Sequence, residues 1–406
     1  MFSTIEIRKF RSCRDVRLSN LNEILVLIGR NGAGKTNVLK AVQWASQFAS
    51  SNFDKNNIAS KRLHASDGDV ALTFSVGERS FCYELKRTST YDFSITEFKV
   101  ELEEKISICE GSQRTTWIHR TGEQVNLHAL PSEAVTSFEI ASTTSVVAAI
   151  QALFPEKSFY RAIATDIQKF MFSVKYYPLH NFEEASDNAA ISGQDYKKWK
   201  ATKFRELNTL SSLVLTLIHM KEEREESFNE LNSLIGANGM GLIDEIQVIS
   251  HKFNNPTSNL FTDSDENTYH FVRFIVHNND EEQASFGHGI SDLSFGTTRI
   301  LFLLVSLLYD RATVSLVEQP EDGIHVALID KLIPLLRSYA NDAQFIVASH
   351  STAILNRSKP EEVRLVSNAD GTTQVRALSS EELAAAAGYL EEDGPLSDFL
   401  ISLGDD

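Results

Sequence analysis

A glycine-rich octapeptide, Gly29–Thr36, follows directly on a run of five apolar residues, Ile24–Ile28. A continuous apolar run is typical of a strand that is buried on both faces. The residues after the octapeptide place apolar side chains on one side of a helix, at Val38, Leu39, Val42 and Ala45. Glycines let backbone N–H groups turn inward around phosphate oxygens, and a helix N-terminus adds positive potential. The segment therefore predicts a strand, a phosphate-binding loop and a helix.

The octapeptide matches the pattern G-x-x-x-x-G-K-[ST], in which the polar residues have defined chemical tasks. The Lys35 ammonium would reach the β- and γ-phosphates of a nucleotide, and the Thr36 hydroxyl would bind Mg²⁺. ATP and Mg²⁺ are therefore the expected ligands. The predicted nucleotide-binding residues are Gly29, Arg30, Asn31, Gly32, Ala33, Gly34, Lys35, Thr36 and Asn37.

Two later strands end in polar side chains that belong at one edge of a parallel sheet. Glu318 follows the strand predicted at Thr313–Val317, where P-loop enzymes place the acid of the Mg²⁺ shell. His350 follows the strand predicted at Gln344–Ala348. Ligands of open α/β sheets gather at the carboxyl ends of the strands, so a histidine there can contact the γ-phosphate. The alternatives are a plain strand end before Pro320 for Glu318 and an ordinary surface or core histidine for His350.

A further anion site is suggested at Leu293–Arg299, which opens the apolar helix predicted over Ile300–Leu308. Ser294 and Gly296 at a helix N-terminus suit an anion. Taken alone, the same residues are better explained as a helix cap.

Composition and charge exclude several classes of protein. Hydrophobic residues make up 42% of the 406, which is enough for a full core and excludes disorder as the main state. Acidic residues outnumber basic ones by 55 to 39, whereas a surface that coats duplex DNA would be basic. The three cysteines match neither a disulfide framework nor a zinc motif. No apolar run reaches the roughly 18 residues of a membrane helix, and the N-terminus lacks a signal-peptide core. We therefore expect a cytoplasmic protein without membrane contact.

The middle of the chain changes from strand to helix. Residues 52–130 are β-rich, with hairpins predicted around Gly77-Glu78 and Thr121-Gly122. Residues 186–238 are strongly helical, and strands are predicted again at Glu245–Ile249 and Tyr269–His277.

Two charged segments leave alternatives open. Five basic residues with Trp199 among them lie within Lys197–Arg205, and they favour either a solvated helix face, a patch that contacts nucleic-acid phosphates, or a partner surface. The segment Glu381–Asp406 has eight acidic residues and no basic ones. It is interpreted as a solvated helix with a frayed end, and the alternatives are docking of a basic effector and mimicry of nucleic acid.

Together these motifs resemble those of the ABC-type ATPases of the SMC/RecF/OLD group. Members of the group begin with a strand and an "FRS"-like turn, similar to Ile7–Ser12, and continue with GxNGxGK[ST], similar to Gly29–Thr36. Further similarities are an LSxG signature at Leu293–Gly296, an acidic Walker B segment at Glu318–His325, and a switch histidine at His350. The resemblance implies an α/β P-loop NTPase of the ABC-ATPase head type, with a β-rich lobe and an inserted helical arm.

The resemblance also implies how such a site is assembled. Two heads would sandwich ATP, with the P-loop of one facing Ser294 and Gly296 of the other. Arg11, in the "FRS"-like turn, is a further candidate for nucleotide contact. The implied domains are the N-terminal half of the head with its β-rich lobe (1–185), the helical arm (186–242), the C-terminal half of the head (243–380) and the acidic segment (381–406).

One position departs from the group. Gln319 stands where members usually have a glutamate that acts as general base on the attacking water. A neutral amide cannot accept that proton. Either this chain hydrolyses ATP slowly, or it is an engineered trap for the ATP state; Glu321 is the alternative base.

The resemblance to this group also implies a function. The sequence carries no acidic constellation of the Toprim type and no Cys-x-x-Cys hook, so it resembles the ATPase halves of two-gene phage-defence systems such as PARIS and Septu. The expected function is an ATP-hydrolysing, homo-oligomeric sensor and scaffold that controls a separate toxin or nuclease. Two alternatives stay open: a RecF-like DNA-repair ATPase that clamps DNA, and a catalytically silent nucleotide-binding structural protein.

Overall fold

The computed structural model describes residues 1–50, 66–92, 97–111, 113–128, 137–141, 143–178, 190–202, 209–253, 268–276, 286–392 and 394–402. Contacts divide the chain into two compact units. The first unit comprises Met1–Tyr177, Ala312–Gln319 and Leu332–Asp406, and the second comprises Pro178–Arg311 and Pro320–Lys331.

The elements are numbered along the described chain. The strands are β1 (Phe2–Lys9), β2 (Val16–Ser19), β3 (Ile24–Ile28), β4 (Gly68–Val76), β5 (Arg79–Asp92), β6 (Glu97–Glu110), β7 (Gln113–Thr121), β8 (Gln124–Leu127), β9 (Ser137–Glu139), β10 (Val174–Pro178), β11 (Ile191–Ser192), β12 (Glu245–Lys252), β13 (Thr268–Val276), β14 (Phe286–His288), β15 (Val314–Glu318), β16 (Gln344–Ser349), β17 (Val363–Ala369) and β18 (Thr372–Ala377). The α-helices are α1 (Lys35–Ser50), α2 (Val146–Leu153), α3 (Phe159–Phe172), α4 (Gly193–Ala201), α5 (Leu210–Glu223), α6 (Glu225–Ile235), α7 (Phe295–Asp310), α8 (Val326–Tyr339), α9 (Thr352–Leu355), α10 (Ser380–Glu392) and α11 (Leu396–Ser402). Short 3₁₀ helices span Ile290–Asp292 and Pro360–Glu362.

The first unit contains a six-stranded sheet with the strand order β10-β15-β16-β3-β17-β18. Strands β15, β16, β3 and β17 are parallel, and β18 returns antiparallel to β17. Every residue of β15 and β16 is buried, as expected for strands covered on both faces. The strands predicted from the apolar runs near residues 24, 314 and 344 are confirmed.

A second, eight-stranded antiparallel sheet of the first unit has the order β2-β1-β4-β5-β6-β7-β8-β9. The hairpin predicted around Gly77-Glu78 is confirmed, since Val76 pairs with Arg79. The second hairpin is also confirmed, with its turn one residue later than predicted because Thr121 still pairs with Gln124. Gly77 and Gly122 adopt positive φ angles of 59° and 62°, which glycine tolerates without strain.

Helices α1 and α3 pack into a core that includes side chains from both sheets. Trp44 of α1 is 1% exposed and its ring lies 5.8 Å from that of Phe10. Phe170 of α3 stacks on Phe74 of the eight-stranded sheet at 4.3 Å between ring centroids. The helix that follows the glycine-rich loop is therefore anchored along its length by apolar packing.

The acidic C-terminal segment is helical, as predicted. Its exposed residues include Glu381, but Ala386, Leu396 and Phe399 pack in a small apolar core with Val363 of β17. The interpretation as a solvated helix therefore applies to its outward face, while its inner face adds to the first unit.

The second unit contains a sheet of order β11-β13-β12, with β14 paired to β13. Helices α5 and α6 pack on β12 and on α7. The predicted helical character of 186–238 is confirmed for α4, α5 and α6, whereas 191–192 form a strand, and residues 186–189 and 203–208 lie outside the described residues. The domain limits at 185, 242 and 380 stay predictions. None of the described helices is long and apolar enough to cross a membrane.

Candidate functional site

Three strands of the six-stranded sheet bring predicted site residues to one edge. Strand β3 ends at Ile28 before the glycine-rich loop, β15 ends at Glu318, and β16 ends at Ser349 before His350. Strand β16 lies between the other two and is parallel to both, so the three carboxyl ends lie side by side. The first unit therefore assembles the loop, Glu318, Gln319 and His350.

The loop depends on glycine where its backbone approaches β17 and β18. Gly34 has a φ of 105°, and a Cβ atom there would lie 1.8 Å from Oγ1 of Thr373. A Cβ atom on Gly29 would lie 2.0 Å from the carbonyl oxygen of Val366. Gly32 also has a positive φ, of 82°. The loop conformation is thus available only to a sequence with glycine at these positions.

Lys35 is buried at the loop, with 6% of its surface exposed. Its Nζ donates to the carbonyl oxygens of Gly29 and Arg30 at 2.5 and 2.9 Å. These contacts hold the ammonium over the loop instead of letting it extend into solvent. The charge is therefore placed where the sequence predicted a phosphate.

The Glu318 carboxylate is 3% exposed and is held by two hydroxyl groups. Thr36 donates to Oε1, and Tyr176 of β10 donates to Oε2. The Nζ atom of Lys40, one helical turn after Thr36, lies 4.0 Å from the centroid of the Tyr176 ring. Burial lowers the pKa of the Lys40 ammonium, and the negative charge of Glu318 opposes that shift. Burial and the same charge raise the pKa of Tyr176, which keeps its hydroxyl protonated.

Gln319 lies in an uncommon backbone conformation for a residue with a side chain. Its φ is 46°, and its N–H donates to the carbonyl oxygen of Ala348 at 2.8 Å. The amide nitrogen of its side chain lies 3.4 Å from Nδ1 of the exposed His350. Strained conformations of this kind concentrate at functional sites. The neighbouring strands β15 and β16 thus present an amide and an imidazole together.

Arg11 reaches the start of α1 through Asn37. The Arg11 guanidinium donates to Oδ1 of Asn37 at 3.4 Å, and Asn37 donates to Oγ of Ser12 at 2.7 Å. The Ser12 hydroxyl in turn lies 2.7 Å from Oγ1 of Thr373. Hydrogen bonds therefore tie the "FRS"-like turn, the helix N-terminus and β18 together.

A cavity of about 160 Å³ opens at this edge. It is lined by Asn31, Gly32, Gly34, Lys35, Thr36, Asn37, Glu318, Gln319 and Ala348. Mg²⁺ prefers oxygen ligands and is commonly bound by one or two carboxylates together with phosphates. The cavity offers a hydroxyl and a carboxylate in direct contact, with an ammonium at the loop. The donor set therefore fits Mg²⁺ and the phosphates of a nucleotide.

Ser294 and Gly296 belong to the second unit, at the N-terminus of α7. Ser294 is exposed and caps the helix, because its Oγ accepts from the N–H of Thr297 at 3.2 Å. A Cβ atom on Gly296 would lie 2.6 Å from the carbonyl oxygen of Gly323. The glycine of the signature segment is therefore required by packing within its own unit.

Glu321, the alternative base, also lies in the second unit and is 7% exposed. In the same loop the carbonyl oxygen of Asp322 accepts from the buried Arg299 of α7. The guanidinium of Arg299 lies 4.3 Å from the centroid of the Phe295 ring. The loop after the Walker B strand is thus fastened to the signature helix.

The basic cluster of α4 is partly neutralised by acidic neighbours. Lys198 lies 3.6 Å from Asp195, and Lys200 pairs with Glu223. The predicted residues Lys203–Arg205 lie outside the described residues. Charges that are already paired contribute less to phosphate binding, so the described part of this cluster favours the solvated-face interpretation.

Three residues of the site were not predicted from the sequence: Tyr176, Lys40 and Thr373. Tyr176 lies 142 positions from Glu318 in the chain, and no local pattern connects them. Thr373 lies in the β17–β18 hairpin, which was not predicted. Asp370-Gly371 at its turn, with φ angles of 51° and 76°, is a strong signal for the hairpin itself. It does not indicate that Thr373 lies beside the glycine-rich loop.

Fold and site together define a P-loop ATPase of the α/β class, as predicted. The family model described as "AAA domain, putative AbiEii toxin, Type IV TA system" matches residues 24–356. The match covers most of the sequence, and the chain belongs to this family. No curated protein matches the sequence.

Several solved structures are similar to the chain at low sequence identity. An SMC head bound to the C-terminal winged-helix domain of ScpA is 14% identical, with 95% of this chain and 99% of that chain covered and a TM-score of 0.45. The SMC head domain from Thermotoga maritima is 13% identical, with 93% and 99% covered and a TM-score of 0.41. An Smc head with an extended coiled coil, bound to the C-terminal domain of ScpA from Pyrococcus furiosus, is 13% identical, with 96% and 99% covered and a TM-score of 0.44.

Proposed function

We propose that this protein is a cytoplasmic ATP-hydrolysing switch whose nucleotide state controls a separate effector protein in antiviral defence. The observation that carries the proposal is the contact between Thr36 and Glu318 beside the buried Lys35. These groups come from α1 and from the end of β15, and they supply the charges that ATP and Mg²⁺ need. The site thereby connects bound nucleotide to the central sheet of the first unit.

Each side chain at the cavity has a definite task in this proposal. The Lys35 ammonium leaves its carbonyl acceptors for the β- and γ-phosphate oxygens. The Thr36 hydroxyl and the Glu318 carboxylate hold Mg²⁺, which when bound neutralises phosphate charge. His350 lies beside Gln319, where it senses the γ-phosphate.

Gln319 limits the rate of ATP hydrolysis in this proposal. Its amide orients the attacking water by hydrogen bonding but cannot take the proton, so turnover is slow and the ATP-bound state is long-lived. The same residue favours a second candidate function, a nucleotide-binding protein without turnover. Turnover measured with and without a glutamate at this position separates the two.

The ATP-bound state acts by pairing two heads. Ser294 is exposed at the start of a 16-residue helix, where backbone N–H groups and the helix dipole attract an anion. We propose that it completes the nucleotide site of a second copy, as the resemblance to the SMC/RecF/OLD group implies.

The link to defence rests on the family. Its description names the AbiEii toxin and a type IV toxin–antitoxin system, which supports a role in defence. Control of a separate effector, as in PARIS or Septu, is proposed from the resemblance of the motifs alone. The DNA-clamp alternative is less well supported, because the net charge is −16 and Lys198 and Lys200 are paired with acidic residues.

The proposal is tested at Lys35. Calorimetry should show that Lys35→Ala loses most of its affinity for ATP with Mg²⁺, because the buried ammonium is matched to phosphate charge. Lys157→Ala, at an exposed position of the first unit, is the matched control and should bind like the unaltered chain. Equal affinity of the two variants would contradict the assignment.

A further inference from the structure

The buried carboxylate of Glu318 has an anchor that is independent of the phosphate-binding loop. Thr36 contacts one of its oxygens, and Tyr176 contacts the other. Thr36 belongs to the loop and helix, whereas Tyr176 comes from β10, the strand next to β15 in the sheet. The two contacts therefore reach the carboxylate from different elements.

The two hydroxyls differ in what they do once ligands bind. The Thr36 hydroxyl is the predicted Mg²⁺ ligand, so it turns from the carboxylate towards the metal. A buried carboxylate that loses a donor is destabilised unless another remains. Tyr176 can stay in place, because its contact is to the second oxygen of Glu318. It would then leave the first oxygen of Glu318 available to a bound metal.

A glutamate needs such an anchor. Its side chain has three rotatable bonds, and fixing them costs conformational entropy. A single contact therefore holds the carboxylate in one orientation less well than two contacts do. The Tyr176 ring is itself fixed by the Lys40 ammonium, 4.0 Å from the ring centroid, in the geometry of a cation–π contact. A connected set of Lys40, Tyr176 and Glu318 thus lies behind the predicted metal ligand.

We propose that Tyr176 is a positioning residue that orients Glu318 for Mg²⁺. It contacts neither nucleotide nor metal and acts through the carboxylate alone. This inference rests on the proposed function, since it requires Mg²⁺ and nucleotide to bind at this cavity. Partners of metal ligands contribute about 10- to 100-fold to metal affinity in other proteins, which sets the size of the expected effect.

The test compares nucleotide binding with and without Mg²⁺ in Tyr176→Phe. The variant keeps the ring and its contact with Lys40 and removes only the hydroxyl. Calorimetry with a non-hydrolysable ATP analogue should show that the variant and the unaltered chain have the same affinity in EDTA. The factor by which Mg²⁺ increases that affinity should be smaller in the variant by about 10-fold or more. A high Mg²⁺ concentration should restore the affinity, whereas a misfolded variant would not recover. A Mn²⁺ titration followed by electron paramagnetic resonance should report the same loss directly.

Tyr160→Phe is the matched control. Tyr160 is a buried tyrosine of the first unit, and its hydroxyl donates to the carbonyl oxygen of His128 at 2.6 Å. This variant should keep the full Mg²⁺ dependence. If Tyr176→Phe also keeps the full Mg²⁺ dependence, or if it loses as much nucleotide affinity in EDTA as with Mg²⁺, the positioning role is refuted while the nucleotide site stands. If the unaltered chain binds no nucleotide, both the inference and the proposed function fail.

Discussion

At the residue scale, the proposed slow hydrolysis depends on a single side chain. Gln319 follows the buried Glu318 and lies beside His350, so its position suits a group that contacts the attacking water. Loss of a general base typically lowers a rate by about 10²- to 10⁴-fold. Gln319→Glu should therefore raise steady-state phosphate release at least about 10-fold.

The control for this prediction is Gln319→Leu, which has a similar size but cannot orient water. Its turnover should fall below that of the unaltered chain, while ATP affinity is kept because Lys35, Thr36 and Glu318 are intact. Equal phosphate release by the unaltered chain and Gln319→Glu would mean that another residue is the base. Glu321→Gln would then be the next variant to measure.

Residues of the site differ in how far a sequence reveals them. Lys35, Thr36 and Glu318 could be predicted because each depends on a short pattern, a glycine loop or a strand end. Tyr176 and Thr373 could not, because the strand order of the sheet brings them to the site. That order is determined by packing among segments more than a hundred positions apart.

At the element scale, a fully buried polar network joins β6 to the start of α2. Glu104 accepts from Tyr83 at 2.8 Å, from Arg120 at 2.8 Å and from the backbone N–H of Val146 at 3.0 Å. Both Glu104 and Arg120 are 0% exposed. Breaking one partner of a buried ion pair typically destabilises by about 3–5 kcal/mol.

Glu104→Gln should therefore lower the free energy of unfolding by about 3 kcal/mol, as measured by urea denaturation. Glu103, the next residue of β6, is the matched control, because its side chain is 32% exposed and pairs with Lys105 at the surface. Glu103→Gln should change stability by less than about 1 kcal/mol. Similar losses for both variants would show that the buried Glu104 contributes no more to the free energy of unfolding than the surface residue Glu103 does.

Elements were predictable where the pattern was local. The apolar runs, the Gly77 and Gly122 turns and the helical character of residues 186–238 correspond to elements of the described residues, with ends shifted by a few residues. The short strands β2 and β9 and the hairpin β17–β18 were not predicted. Strands β2 and β9 have only four and three residues, which leaves little room for an alternating pattern, whereas the β17–β18 hairpin has a local signal in Asp370-Gly371.

At the scale of the whole molecule, we predict that two copies together complete the ATP site. Light scattering should show a monomer without nucleotide and a dimer with saturating ATP and Mg²⁺. Lys35→Ala should stay monomeric because it does not hold ATP. Ser294→Arg should bind ATP but stay monomeric, because the bulky charged side chain replaces an exposed small cap where a second copy would approach.

Mixing these two variants gives a sharper result than either alone. The intact P-loop of Ser294→Arg and the intact signature of Lys35→Ala can together form one complete site, so the mixture with ATP and Mg²⁺ should contain dimers of both chains. Labelling one variant with a fluorophore identifies such mixed dimers by co-migration in size-exclusion chromatography. A Ser294→Arg variant that dimerises by itself with ATP, or a mixture that stays monomeric while the unaltered chain dimerises, would exclude pairing through the signature segment.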